Sequence, residues 1–516
     1  MLFNSLEFIF IFLPMSLVAF YGARWLFRGS VRPLLAVLLV VSLFFYGYWN
    51  ADYLWLLAGS VVFNYGCGEL LRRYPGKGLL AVGVTFNILL LGIFKYTGFL
   101  VSEIGDLFHT GWSAPDILLP LAISFFTFQQ IAYLVDCYRG QAEGSGGLLE
   151  YAVFVSFFPQ LIAGPIVRHS DVAPQFRSRL GGRFSSPLMA TGITLFVLGL
   201  FKKIVIADSL APMADRAFGI VESGTLLSLF EAWAGLMAFT LQIYFDFSGY
   251  TDMALGLAAM FGISLPMNFR SPYKAQSIID FWRRWHITLS TFLRDYVYIP
   301  LGGSRGASRR RYVNLLIVML IGGLWHGAGW TFVLWGGAHG LMLCLNHLWI
   351  RSAVAWRPAL PRWAGWVFTF IGVALAWVLF RAETLPGASA MYASLAGSGG
   401  VMIPETVISR LPGMAGSVLA SFTVPVQWDG ERVFQATDLL MLLAAFGLCL
   451  LVPRFDEILS GLKEGRMFRS FSVQNLVVSI AGSRTAGMLC GIGVSIMLWV
   501  AVLSAVRDRT FLYFQF

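Results

Sequence analysis

The sequence predicts an all-α protein that crosses a lipid bilayer many times, and three observations carry that prediction. Only 12% of its 516 residues are charged, against 57% hydrophobic. A soluble globular chain carries roughly 25% charged residues, so most of this exterior must face lipid. Apolar stretches recur near 8–23, 34–49, 52–69, 78–98, 117–136, 187–206, 225–247, 313–330, 331–350, 364–380, 436–452 and 485–505. Basic residues gather in short runs between these stretches, as positive-inside orientation requires. A spanning helix needs ~20 mostly apolar residues, and several stretches are shorter, so about ten to twelve true spans are expected.

The first apolar run has no basic residue before it and is followed by Arg24, Arg28 and Arg32. That polarity suits an uncleaved first span with its amino terminus outside. The next loops alternate accordingly: Asn50–Asp52 has no basic residue, Arg72, Arg73 and Lys77 follow the third span, and 101–116 is acidic. Residues 151–166 and 252–266 are short and rich in Gly and Pro, which predicts re-entrant or broken helices shielded from lipid. Residues 167–186 carry Arg168, Arg177, Arg179 and Arg183 and are expected on the cytoplasmic side. Residues 381–435 are mildly polar, and an extramembrane loop or short surface helices are expected there. The resulting division is a transmembrane core at 1–385, a loop region at 386–435 and C-terminal transmembrane helices at 436–516.

Several function classes lose support at this point. The net charge of +10 is accounted for by membrane orientation, so the bilayer rather than a nucleic acid is the expected partner. No phosphate-loop or G-x-G-x-x-G motif occurs, nor a G-x-S-x-G elbow. Five scattered cysteines give no zinc or disulfide framework. The six histidines contain no i, i+4 pair, so no metal is expected.

Three stretches hold residues with chemistry to offer. From Ser277 the chain reads Ile278-Ile279-Asp280-Phe281-Trp282-Arg283-Arg284-Trp285-His286. As one helix through Tyr296, it places Ile278, Trp282, Trp285, Leu289, Phe292 and Tyr296 on an apolar stripe. Arg283, Arg284 and Arg294 fall on the other side and His286 at the stripe's edge. Such a helix suits the membrane interface; an incidental histidine on it is the plainer alternative. From Tyr312 to Ile350, 39 residues pass without a single Asp, Glu, Lys or Arg, yet His326, His339 and His347 lie among them. An ionisable group at membrane depth is costly to bury and is a functional-site hypothesis by default. His326 is flanked by Gly322, Gly323, Gly327 and Gly329, which allows a substrate or another backbone to approach closely. Helix packing through small residues, with the histidine as an interhelical hydrogen-bonding group, is the competing explanation. His339 and His347 read more naturally as structural, and His109 and His169 fall in predicted loops. Third, Asp246 in Phe245-Asp246-Phe247-Ser248-Gly249-Tyr250-Thr251-Asp252 is expected to end a span, with Thr251 or Asp252 capping a following short helix; a place in a polar cavity lining is the alternative for Asp246. An imidazole is the usual base for removing a hydroxyl proton during acyl transfer.

At these residues the sequence resembles the membrane-bound O-acyltransferase family, in particular its bacterial branch that includes the membrane subunit for alginate O-acetylation. The matching pieces are Phe157-Phe158-Pro159-Gln160-Leu161-Ile162-Ala163-Gly164-Pro165, residues 244–254, Asn268-Phe269-Arg270-Ser271-Pro272-Tyr273, residues 281–290, Tyr298-Ile299-Pro300-Leu301-Gly302-Gly303 and Gly322-Gly323-Leu324-Trp325-His326-Gly327. The resemblance implies a ring of transmembrane helices around a thinned centre, with a narrow central pore. It implies that His326 is the catalytic histidine and His286 the second characteristic position, where other branches carry asparagine. Substrate- or pore-lining candidates are Trp282, Arg283, Trp285, Ser290, Asp246, Trp325 and His339. No bound cofactor is expected; acetyl-CoA or another acyl thioester is the expected donor, arriving from the cytoplasm. Expected partners are a periplasmic acetyltransferase of the SGNH type or an acetyl carrier, and a polysaccharide synthase or export complex. The expected location is the bacterial cytoplasmic (inner) membrane. Alginate, cellulose and peptidoglycan all suit as acceptors, and a transporter or flippase of an acylated carrier is the rival function.

Overall fold

The computed structural model describes residues 1–112, 115, 117–142, 146–182, 184–305, 308–351, 361–401, 436–451 and 484–504. Arg183, residues 402–435 of the expected loop region and the closing residues 505–516 lie outside them. Every regular element among the described residues is helical. The amino-terminal third runs through α1 (Leu13–Leu26), α2 (Val31–Gly47), α3 (Leu54–Arg73), α4 (Lys77–Leu91), α5 (Thr97–Phe108) and α6 (Ile123–Tyr138). Short helices α7 (Leu148–Ser156), α8 (Phe158–Leu161) and α9 (His169–Ser178) lead into α10 (Ser186–Phe201), α11 (Asp208–Glu222) and the 32-residue α12 (Leu229–Met260). Two short helices, α13 (Ile278–Trp282) and α14 (Ile287–Leu293), precede the hairpin of α15 (Ser308–His326) and α16 (Trp330–Arg351). Then come α17 (Arg362–Arg381), α18 (Leu385–Leu395), α19 (Ala436–Leu451) and α20 (Arg484–Ser504).

Five of these segments are long and apolar enough to cross a membrane: Phe8–Leu26, Ala51–Arg73, Lys77–Phe108, Ser186–Glu222 and Arg362–Arg381. Shorter apolar helices include Val31–Gly47, Thr437–Leu451 and Gly491–Ser504. Their outward faces carry rings that no soluble protein would leave to water: Trp25 is 84% exposed, Trp55 83% and Phe368 69%. Large exposed apolar faces of this kind mark contact with lipid or a partner. Inside, buried side chains form two clusters. One gathers the aromatic rings of Phe8, Phe45, Phe128, Phe158 and Trp325; the other joins α11, α12, α13, α16 and α17 through Trp282, Trp285, Trp335 and Trp377.

Three expectations are corrected by this architecture. The stretch at 252–266 is not a separate short helix. α12 runs unbroken from a Ser228–Glu231 capping box to Met260, so Asp246 lies mid-helix and neither Thr251 nor Asp252 is a cap. No proline interrupts this run. Its glycines instead serve contact: a Cβ on Gly249 would come within 2.7 Å of the Gly199 carbonyl oxygen, and one on Gly256 within 2.5 Å of that of Gly192. Small residues let two helix backbones touch where lipid supplies no hydrophobic drive. The expected single amphipathic helix from 278 to 296 is broken at Arg283–His286, and Trp282 and Trp285 are buried rather than at a headgroup boundary. His169 is not in a loop. It opens α9 and is buried among Tyr133, Tyr151 and Phe154, because α9 lays its apolar side on α7 while Arg177 binds Glu150 with two nitrogens, the closer at 2.9 Å. The predicted break in 151–166 is present at Phe157, between α7 and α8.

Two measurements check this packing. Gly249→Ala should cost about 1–3 kcal/mol, because backbone rather than a flexible side chain must move; Gly219→Ala, with open space around the added carbon, should cost nothing in the same thermal unfolding assay in detergent. Burial lowers the His169 pKa from 6.5 to about 4, with Glu150 opposing and Arg177 and Arg72 reinforcing the shift. The unfolded chain binds this proton first, so the contribution is intact above pH 6.5 and is lost as pH falls toward 4. Acidification from pH 7 to about pH 4.5 should therefore depress the melting temperature of the wild type more than that of His169→Phe; an equal depression would remove His169 as the cause.

Candidate functional site

The break between α13 and α14 is what puts His286 in place. Its backbone is left-handed, with φ 41° and ψ 55°. Few residues without a glycine's freedom take that conformation, and His and Asn are enriched among those that do. Asparagine, which the resemblance puts at this position in other branches, meets the same backbone demand. The loop is held from the opposite strand of chain by Asn268, whose side-chain oxygen accepts from the Thr288 hydroxyl at 2.6 Å while its carbonyl accepts from the Ile287 amide at 3.0 Å. The Arg270 amide donates to the Arg284 carbonyl at 2.9 Å, and the Ile166 amide to the Thr288 hydroxyl at 3.0 Å. His286 is fully buried, and among the described residues neither ring nitrogen has a hydrogen-bond partner.

His326 arrives from the other direction, as the last residue of α15. Its ring centroid stands 6.4 Å from that of His286. Trp325 at 5.0 Å, Trp335 at 5.1 Å and Phe380 at 5.2 Å surround the imidazole edge-on. It therefore sits on the seam of the two buried clusters, with Trp325 in one and Trp335 and Phe380 in the other. The neighbouring glycines serve the α15–α16 crossing. A Cβ on Gly323 would meet the Phe332 carbonyl oxygen at 2.2 Å, and one on Gly336 the Met319 carbonyl oxygen at 2.3 Å. Close helix contact, not an open backbone, is the reason for Gly323.

A helix ending at His326 leaves its last carbonyls without intrahelical donors. Here each acquires one. The Gly327 amide donates to Gly323 at 3.3 Å, the Tyr96 hydroxyl to Leu324 at 2.5 Å, and the Lys95 ammonium to Trp325 at 2.7 Å and His326 at 2.9 Å. Lys95 and Tyr96 stand on a π-turn, Gly92–Tyr96, between α4 and α5; the extra residue of such a turn re-aims the side chains that follow it. A cavity of about 480 Å³ opens beside this cap and is lined by Lys95, Ser124, Trp325 and His326 together with Trp49, Ile162 and Ala163. The Phe157–Pro165 motif thus supplies part of a cavity wall as well as a helix break.

The other sequence-predicted residues divide clearly. Trp325 lines the cavity and donates its indole N–H to the Ser124 carbonyl at 3.3 Å. His339 is fully buried behind Trp335, and its Nδ1 accepts from the Trp282 indole at 3.3 Å. Trp285 stacks on Phe281 and packs on Trp377 in the core. Asp246 is buried in a pair with Lys203 at 2.8 Å, and Lys203 also reaches Asp208 at 2.7 Å; it is absent from the cavity wall. Arg283 is exposed, and Ser290 turns back to the Trp285 carbonyl at 3.4 Å. Sequence reasoning missed Lys95, Tyr96, Ser124 and Asn268. A lysine inside an apolar run is the signal that pointed to Lys95; Asn268 was visible only as part of a motif. Among the described residues no three His, Cys, Asp or Glu side chains converge as a metal site would need.

Two neighbouring buried imidazoles, of which His326 lines a cavity, can take up and deliver a proton, and the aromatic shell keeps water from competing. Comparison with known proteins narrows that chemistry. Residues 144–382, which contain both histidines, match the membrane-bound O-acyltransferase family model. A peptidoglycan O-acetyltransferase of Helicobacter pylori is 43% identical over 431 residues, 78% of this chain and 81% of that one. The chain belongs to the membrane-bound O-acyltransferase family. It is therefore an O-acyltransferase built as a multi-pass membrane protein. A protein of Azotobacter vinelandii named "Probable alginate O-acetylase" is 42% identical over 448 residues, covering 85% of this acyltransferase and 87% of the relative. A teichoic acid D-alanyltransferase of Bacillus subtilis is more distant, 27% identical over 277 residues.

The left-handed backbone at His286 gives a direct test. His286→Asn should keep the fold within about 0.5 kcal/mol, whereas His286→Val should lose about 1–3 kcal/mol through backbone strain. Chemical unfolding of the two variants in detergent reads the difference, and equal stabilities would mean that the loop is not held in this conformation.

Proposed function

We propose that this enzyme transfers an acetyl group to hydroxyls of an extracytoplasmic polysaccharide, an exopolysaccharide such as alginate or cellulose or the glycan of peptidoglycan. The observation that carries the reading is the approach of His286 to His326, 6.4 Å apart between ring centroids, with His326 lining a cavity inside an apolar protein and His286 buried behind it. The high identity to relatives named for O-acetylation supports acetyl as the group moved. The donor in this reading is acetyl-CoA, or another acyl thioester, entering from the cytoplasm. A nucleophile attacks the acyl carbonyl, the carbon–sulfur bond breaks, and the thiolate leaves and takes up the proton. His326 is either the base that receives the acceptor hydroxyl's proton or the nucleophile that holds the acetyl transiently; His286 orients the reacting group. The acetyl group then passes to a periplasmic SGNH-type acetyltransferase or carrier working beside a polysaccharide synthase, which sets the enzyme in the bacterial inner membrane. Trp325 belongs to the wall of this site, and His339 supports it from behind Trp335. Asp246, Arg283, Trp285 and Ser290 act, in this reading, through the scaffold.

Purified enzyme with its periplasmic partner and radiolabelled acetyl-CoA tests the proposal. Label should appear on protein or acceptor with wild type and disappear with His326→Ala at an unchanged melting temperature. His286→Ala should reduce transfer by roughly 10²–10⁴-fold, the span of a positioned acid–base group. Equal labelling in all three proteins would remove the catalytic assignment and leave transport of an acylated carrier as the function.

A further inference from the structure

Lys95 is an ionisable residue within a predicted membrane span, Lys77–Phe108, and its known partners are unusual for such a site. Among the described residues it meets no carboxylate; it donates to the carbonyls of Trp325 and His326 at 2.7 and 2.9 Å, with the Ser124 hydroxyl farther away at 3.5 Å. Lysines at membrane depth are costly and are retained where they pair or act. A cation placed at the carboxy-terminal end of a helix faces the negative end of its dipole and satisfies carbonyls that have no other donor. In this chain that helix end is the peptide of His326, and the lysine is 231 residues away in sequence.

We propose that Lys95 is the positioning residue of the acyl-transfer site: its ammonium group holds the backbone of Trp325 and His326 so that the His326 ring stays at the cavity edge, within 6.4 Å of the His286 ring. This rests on the reading of His326 as the transfer residue. The local geometry favours a positioning role over a general anchoring one. Tyr96, the next residue, already ties α15 to the same π-turn through the Leu324 carbonyl, and the Trp325 indole ties the same end to Ser124. The helix end is thus attached without Lys95; what Lys95 adds is control of the last two peptides, those that carry the His326 side chain. A shift of about 1 Å in a reacting group is enough to cost 10²-fold in rate.

The experiment compares Lys95→Met, Lys95→Gln, Lys95→Arg and Tyr96→Phe with wild type and His326→Ala in the labelled acetyl-transfer assay, with kcat and donor KM determined separately. Loss of a charged hydrogen-bond donor at the site should lower kcat by roughly 10–100-fold in Lys95→Met, with donor KM and melting temperature within about twofold and 3 °C of wild type. Lys95→Gln should fall between the two, and Lys95→Arg should recover at least tenfold of the loss. Tyr96→Phe should leave kcat within about threefold. If Lys95→Met does not fold, Lys95→Gln carries the test. Transfer within twofold of wild type in the neutral variant, with His326→Ala inactive, would overturn the role of Lys95 alone. So would an equal drop in Tyr96→Phe, since that would make the attachment of the helix rather than its final peptides the determinant. Activity retained in His326→Ala would instead overturn the reading of the site itself.

Discussion

Backbone hydrogen bonding in a medium without water is the constraint from which the rest of this structure follows. A helix that stops inside an apolar protein leaves carbonyls that lipid cannot satisfy, and each such group costs several kcal/mol. α15 stops there, at His326, where side chains from a distant part of the chain reach its end and a cavity opens beside it. The same requirement shapes the other half of the site. The chain that turns at His286 is not helical, so its amides and carbonyls are taken up by the side chain and carbonyl of Asn268 and by the amide of Arg270. A histidine at a helix end and a histidine in a tight turn are both expensive places to put a side chain. They share one property: each imidazole leaves the chain at a helix end and is buried among aromatic rings rather than lying along a helix surface.

The fold class was legible because it depends on composition and on the length of apolar runs, which lipid imposes on any sequence. The helical hairpin of α15 and α16 followed from the same signal, and His326 stood out because an ionisable group interrupts 39 uncharged residues. What periodicity could not show was where a helix ends for tertiary reasons. Residues 278–296 have a faultless helical stripe, yet the stripe is cut at His286 because Asn268 offers its backbone another set of partners. Gly256, in the stretch at 252–266 that reads as a broken helix, is instead a point at which α10 and α12 touch, as is Gly249. Local pattern is a weak guide wherever a neighbouring element changes which conformation is cheapest. Lys95 was visible as a lysine inside an apolar run, but its partners are backbone carbonyls, and those leave no trace in a sequence.

The site's position on the seam of two buried clusters has a mechanical meaning. Trp325 belongs to the side built on α2, α6, α8 and the second half of α12, while Trp335, Trp377 and Phe380 belong to the side built on α11, the first half of α12, α16 and α17. α12 threads both clusters, and its glycine contacts with α10 lie in the first. Packed interiors do not deform smoothly, so a histidine wedged between the two clusters is held by contacts from both.

The lack of protein partners for either nitrogen of His286 has a consequence of its own. In most working histidines a neighbouring carboxylate or carbonyl decides which nitrogen carries the hydrogen, and so commits the ring to one direction of proton flow. Among the described residues no other side chain makes that decision here. The ring is held instead by aromatic neighbours, Phe247 at 4.8 Å and Trp325 at 5.9 Å between centroids, which fix where the imidazole lies without fixing which nitrogen bears the hydrogen.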